Sequence, residues 1–186
     1  MEKINLFLFL FLCVSCSFYY PAKQGDDHSK KTFYSSCIHI PPILLRIQDG
    51  SRQYSRVALD TLSFIVWGPP DICSSCEILH FKERYSGLWC LSKDMASFQV
   101  LFIMTPKPEE VDDIIQMIDN LHFEWPIYVD DTAEMVKIMP EHSMYHQFLI
   151  SPDGNILFIN SPFHMGVVKK SFVKTLDDYK NTAFRR

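Results

Sequence analysis

The stretch Thr61-Leu62-Ser63-Phe64-Ile65-Val66-Trp67-Gly68-Pro69-Pro70-Asp71-Ile72-Cys73-Ser74-Ser75-Cys76 puts an apolar run, a turn and a cysteine pair in immediate succession. Thr61 to Trp67 is rich in Leu, Phe, Ile and Val and has the length of a strand. Gly68, Pro69 and Pro70 close it, so it reads as a buried strand ending in a turn. After Cys76, the residues Ile78, Phe81, Tyr85 and Leu88 recur at steps of three and four, with Glu77, Lys82, Glu83 and Arg84 between them. That is the stripe of an amphipathic helix. The two cysteines therefore open a helix directly after a buried strand.

Downstream the pattern continues. Phe98 to Met104 is a second apolar strand. After Pro106 and Pro108, the residues Val111, Ile114, Ile115 and Ile118 mark a second helix, with Glu109, Glu110, Asp112 and Asp113 in its first turn where negative charge suits the helix dipole. Pro126 to Val129 makes a short strand, and Asp130 to Thr132 can cap a small helix running through Met139 and stopped by Pro140. Gln147 to Ser151 and Asn155 to Asn160 are joined by Pro152-Asp153-Gly154, a turn signal that predicts an antiparallel hairpin; Val168, Phe172, Leu176 and Tyr179 line a last helix. Alternating strands and helices followed by an antiparallel pair predict an α/β fold, a mixed central sheet with helices on both faces and a C-terminal β-hairpin plus helix.

From Leu59 to Tyr179 these residues resemble the thioredoxin fold, and more closely the redoxin or TlpA-like thioredoxin lipoproteins of bacterial cell envelopes. Three joined features carry the resemblance: the strand Phe64-Ile65-Val66-Trp67 before the CxxC, the helix after it, and Phe148-Leu149-Ile150 running through Asp153-Gly154 into Asn155-Ile156. It implies thiol–disulfide exchange with other exported proteins, without a bound cofactor and with a membrane redox partner for regeneration.

The rest of the chain fits one exported domain. A length of 186 residues suits a single core. With 47% hydrophobic and 22% charged residues the chain is globular rather than disordered, and nowhere does it reach the roughly 20 apolar residues of a membrane span. Eighteen Lys and Arg against 22 Asp and Glu leave a net charge of -4 with no long basic run, which argues against nucleic acid as a partner.

Residues 1–15 read as a signal peptide: Lys3, an apolar run from Ile4 to Val14, and the small residue Ser15 before Cys16. Ser15-Cys16 resembles the lipobox of bacterial lipoproteins, with Cys13 where the usual Leu stands. The resemblance implies that Cys16 is acylated and tethers the protein to a bilayer, facing the periplasm or exterior; the alternative is a plain secretory signal. Residues 16–36 are then a tether and 37–186 the thioredoxin-like domain.

The chemistry expected at the cysteine pair follows from its position. A thiolate attacks disulfides, and a cysteine at a helix start lies beside unpaired backbone N–H groups and the positive end of the helix dipole, which lower a thiol pKa. Cys73 is the expected nucleophile, and Cys76, one turn on and more covered by the fold, the resolving cysteine. The Ser74 and Ser75 hydroxyls are placed to donate to a thiolate, and Asp71 to oppose one.

Compared with thioredoxins, Ile72 replaces the usual Trp, the loop from Trp67 to Cys73 is longer, and Tyr145 or His146 stands where a cis-proline packs on the disulfide, Pro140 being the nearest proline. Phe64, Ile65 and Val66 supply no buried acid, which leaves proton handling to water, Asp71, Glu77 or a histidine. Two alternatives remain for the pair: a structural disulfide in a non-catalytic binding lipoprotein, or a metal site of Cys73, Cys76 and His80 with His146 as a fourth ligand. Cys37 and Cys90 are expected to be buried small hydrophobes, or else to pair with each other.

Overall fold

A computed structural model describes residues 37–139, 146–164, 167–168 and 170–183. The signal peptide, Cys16, the tether, Pro140 and Tyr145 lie outside the described residues. The elements are β1 (Ile43–Gln48), β2 (Ser51–Arg56), β3 (Leu62–Gly68), α1 (Ser74–Asp94), β4 (Phe98–Met104), α2 (Val111–Leu121), β5 (Ile127–Val129), α3 (Glu134–Ile138), β6 (Gln147–Ile150), β7 (Ile156–Ile159), the two-residue strands β8 (Phe163–His164) and β9 (Val167–Val168), and α4 (Lys170–Ala183). Seven strands form one sheet in the order β2-β1-β5-β4-β3-β6-β7.

β3 is buried along its whole length, as a strand with neighbours on both edges and cover on both faces must be. It runs parallel to β4, with Leu62 opposite Phe98 and Gly68 opposite Met104, and antiparallel to β6, with Val66 opposite Gln147 and Ser63 opposite Ile150. β4 and β5 are parallel, so α1 and α2 are crossovers between parallel strands; the outer pairs are antiparallel. This is the mixed sheet expected.

Period-two alternation splits the core between the two faces of the sheet. On one face Phe64, Val66, Val100, Phe102 and Leu149 pack against Ile78, Phe81, Tyr85 and Leu88 of α1, Ile114 and Ile118 of α2, and Phe172 and Leu176 of α4. Phe172 seats α4 through edge-on contacts with Phe64 and Phe158, ring centroids 5.4 and 5.2 Å apart; such a pair adds about 0.5–1.5 kcal/mol beyond area burial. On the other face Ile65, Trp67, Leu101, Ile103 and Phe148 meet Ile38 and Ile40 of the incoming chain, Leu44 of β1 and Met135 of α3. Helices thus lie on both faces, three of them on one and the five-residue α3 on the other.

The β1–β2 hairpin closes one edge of the sheet with its polar strand β2. Asp49 and Gly50 form its two-residue loop, both with positive φ (50° and 72°), the conformation an Asp-Gly pair favours.

Candidate active site

β3 delivers the chain to the cysteines, and its C-terminal end is pinned from both sides. Trp67 N–H donates to the His146 carbonyl (2.7 Å) on β6's side, and Thr105 N–H donates to the Gly68 carbonyl (2.8 Å) on β4's side. Gly68 lies in close approach to Met104: a Cβ there would meet the Met104 sulfur and methyl at 2.5 Å, so that flexible side chain would have to move. Pro69 to Ile72 then make a tight turn, Ile72 N–H donating to the Pro69 carbonyl at 3.3 Å.

Cys73 is the N-cap of α1, in extended conformation (φ -69°, ψ 95°), and its carbonyl accepts the helix's first bond, from Glu77 N–H at 3.0 Å. Its side chain is exposed. Three groups on two neighbours hold its thiol below the ordinary value: first the Cys76 side chain, then the Ser75 hydroxyl, 3.4 Å from the Cys73 sulfur, then the backbone N–H of Cys76. The helix mouth contributes through the Cys76 N–H. Slight desolvation and the Glu110 carboxylate oppose the effect.

The opposing acid is thus Glu110, brought over from the turn before α2, rather than Asp71. Ser74 differs from expectation too: it points into the protein, buried, with its Oγ unpartnered.

Cys76 is exposed rather than covered. The reason is helical phase. Ser74 and Ile78 belong to the buried stripe of α1. Position 76 is two residues from each, and at about 100° per residue it lies on the far side of the helix. Both sulfurs of the motif therefore face solvent as thiols.

Behind the first turns of α1 lies a cavity of about 60 Å³ lined by Trp67, Glu77, Tyr85, His146 and Gln147. Glu77 accepts a 2.7 Å hydrogen bond from Arg84, and Gln147 donates to the Tyr85 hydroxyl at 3.0 Å while its own Oε1 is buried without a partner. Burial first, then the charge of Glu77, pushes the Tyr85 hydroxyl well above its ordinary value, so it stays protonated. His146 occupies the strand entry next to Trp67, their rings edge-on at 6.0 Å.

The proposed metal ligands are not gathered. His80 Nδ1 turns to Glu83 (3.7 Å), His146 packs on Trp67, and among the described residues no three His, Cys, Asp or Glu side chains come close enough to hold an ion.

Cys37 and Cys90 are neither buried nor joined to each other: both are exposed thiols. Cys37 bridges Asn155 beside the β6–β7 turn, and because β6 runs antiparallel to β3 that turn is at the sheet end opposite the cysteine pair. Cys90 lies near the far end of α1, about 25 Å along the axis from Cys73 at 1.5 Å per residue.

Sequence reasoning missed a buried polar chain at the cysteine end of the sheet. The Trp67 indole N–H donates to Thr105 Oγ1 (3.0 Å), and the Thr105 hydroxyl donates to Asp130 Oδ2 (3.3 Å). Asp130 also accepts from Met135 N–H (2.8 Å), Glu134 N–H (3.2 Å) and the Thr132 hydroxyl (3.0 Å). Its signal was a polar residue directly after each of the apolar strands β4 and β5. Only the capping half of Asp130's role is readable from sequence.

No protein-family model matches the chain, and no curated protein matches it in sequence. Solved structures do match in fold. The exposed lipoprotein thioredoxin Etrx1 of Streptococcus pneumoniae superposes with a TM-score of 0.51 at 17% identity, over 73% of this chain and 97% of that one. An uncharacterized conserved protein from Geobacillus kaustophilus gives a TM-score of 0.51 at 14% identity, over 76% of this chain and 80% of that one. The seven-stranded mixed sheet, with a cysteine pair where its buried strand β3 meets a helix, is a thioredoxin-like fold.

Proposed function

We propose that this protein is a thiol–disulfide oxidoreductase that exchanges disulfides with exported proteins, with Cys73 as nucleophile and Cys76 as resolving cysteine. The observation that carries this reading is the exposed Cys73 thiol, set at the mouth of a 21-residue helix and made more acidic by Cys76 and Ser75. In the reducing direction the Cys73 thiolate attacks one sulfur of a substrate disulfide and expels the other as a thiolate, which takes up a proton. Cys76 then loses its proton to solvent and attacks the Cys73 sulfur. The second substrate thiol is released and the Cys73–Cys76 disulfide remains. The reverse sequence oxidises a substrate dithiol.

In this reading Cys16 is acylated and holds the domain at a bacterial cell envelope, where a membrane redox partner restores the dithiol. No described helix is long and apolar enough to cross a membrane. The exposure of both sulfurs favours exchange over a structural staple, whose disulfide gains from being shielded.

Cys76→Ser in the full chain tests the reading. Without the resolving sulfur, a mixed disulfide between Cys73 and an exported protein accumulates and can be isolated from non-reducing gels. Absence of any Cys73-dependent adduct contradicts the reading.

A further inference from the structure

The sheet end opposite the cysteine pair carries a second thiol with its own chemistry. The Cys37 sulfur lies 3.1 Å from the Asp153 carbonyl oxygen, to which it donates, and 3.7 Å from His39 Nε2. The seat is built by the β6–β7 turn. Gly154 takes a φ of 82°, its carbonyl accepts Ile38 N–H at 2.9 Å, and a Cβ on it would meet the Ile38 carbonyl oxygen at 2.6 Å and the Cys37 sulfur at 3.0 Å. The bridge of Cys37 to Asn155 fixes the backbone on the other side. Cys37 is thus exposed yet held in one place, with the Asp153 carbonyl as acceptor of its proton and, in the Nδ1–H tautomer of His39, the imidazole Nε2 as a second one. A carbonyl can only share that proton, whereas a neutral imidazole can remove it at neutral pH.

We propose that Cys37 and His39 form a second reactive site, independent of Cys73 and Cys76, that takes up low-molecular-weight disulfides as a mixed disulfide. The thiol proton passes to His39 as the Cys37 sulfur attacks one sulfur of a small disulfide RSSR. The Cys37–S–S–R bond forms, the R–S–S–R bond breaks, and the leaving thiolate recovers the proton from the imidazolium. The net change is Cys37–SH plus RSSR to Cys37–SSR plus RSH, in which the small disulfide is the oxidant. An exported domain meets such disulfides in an oxidising compartment. The turn admits a small molecule because the sulfur stands at its surface, flanked by a residue without a side chain.

Cys90 is the internal control: another exposed cysteine, on the outer face of α1. The full chain carrying Cys73→Ser and Cys76→Ser is incubated with glutathione disulfide at pH 7, quenched by alkylation, and each cysteine's occupancy followed by peptide mass mapping. The expected result is glutathionylation of Cys37 at least about tenfold faster than of Cys90, a threshold set below the roughly hundredfold that a positioned base contributes at its low end. His39→Gln brings Cys37 down to the Cys90 rate and leaves Cys90 unchanged. Equal rates at the two cysteines, an unaltered Cys37 rate in His39→Gln, or a covalent dimer through Cys37 instead of the glutathione adduct overturns the proposal. None of these readouts depends on the activity proposed for Cys73.

Discussion

The Cys73 sulfur and the Ser75 hydroxyl lie 3.4 Å apart across the first turn of α1, close enough for the hydroxyl to donate to a thiolate. This contact comes from the side chain immediately before Cys76. Ser75 therefore shares with Cys76 the stabilisation of a charged Cys73.

Ser75→Ala should raise the Cys73 thiol pKa toward the ordinary value of 9.0 and slow its alkylation at pH 7 several-fold, because the thiolate is the reacting species. Alkylation kinetics of the reduced protein, resolved by peptide mapping, check this. An unchanged rate would remove Ser75 from the site.

Glu110→Gln should act in the opposite sense. It removes the carboxylate that opposes the Cys73 thiolate, so alkylation at neutral pH speeds up. The gain should shrink between about 0.01 M and 1 M salt, over which the screening length falls from about 30 to about 3 Å. A salt-independent gain would point to a structural change rather than to charge.

Reduced-state stability should follow the same ionisation. The folded Cys73 thiol titrates below its ordinary 9.0, so the unfolded chain holds its proton to higher pH and stability rises with pH between the two values. Against Cys73→Ser, the wild-type chain gains stability as pH rises through the depressed value, levels off above 9.0, and loses the gain as pH falls back through that value. Urea midpoints of both proteins under reducing conditions from pH 5 to about 9.5 read it out. A gain that declines with rising pH would contradict the depressed thiol.

Thr105→Val should cost about 1–3 kcal/mol, since the Trp67 indole loses its acceptor and Asp130 one of its donors inside the core. Thr105→Ser keeps the hydroxyl and should recover most of the loss in denaturant titrations.

What the sequence revealed and what it hid divide along one physical line. β3, α1, β4 and α2 were legible because each is a long run with a single period, and Ile78, Phe81, Tyr85 and Leu88 all turn out buried. The β1–β2 hairpin went unread, because Ser51 to Arg56 is polar and lies on an edge; its local signal was the Asp49-Gly50 turn. At the site, the place of Cys73 at the helix mouth followed from local order along the chain. The exposure of Cys76 needed the helical phase relative to Ser74 and Ile78, and this could have been worked out. The influence of Glu110 and the Trp67–Thr105–Asp130 chain depend on contacts between residues 25 to 38 positions apart, which no local pattern encodes.

The central claim is that Cys73 is both reachable and unusually acidic. Its most direct test is the pH dependence of the iodoacetamide reaction at Cys73 in the reduced full chain, measured by peptide mapping beside a cysteine in a short unstructured peptide. The account predicts a Cys73 curve displaced to lower pH than the peptide's, with full reaction under native conditions. A curve at or above the peptide's, or a Cys73 that reacts only after denaturation, would contradict it.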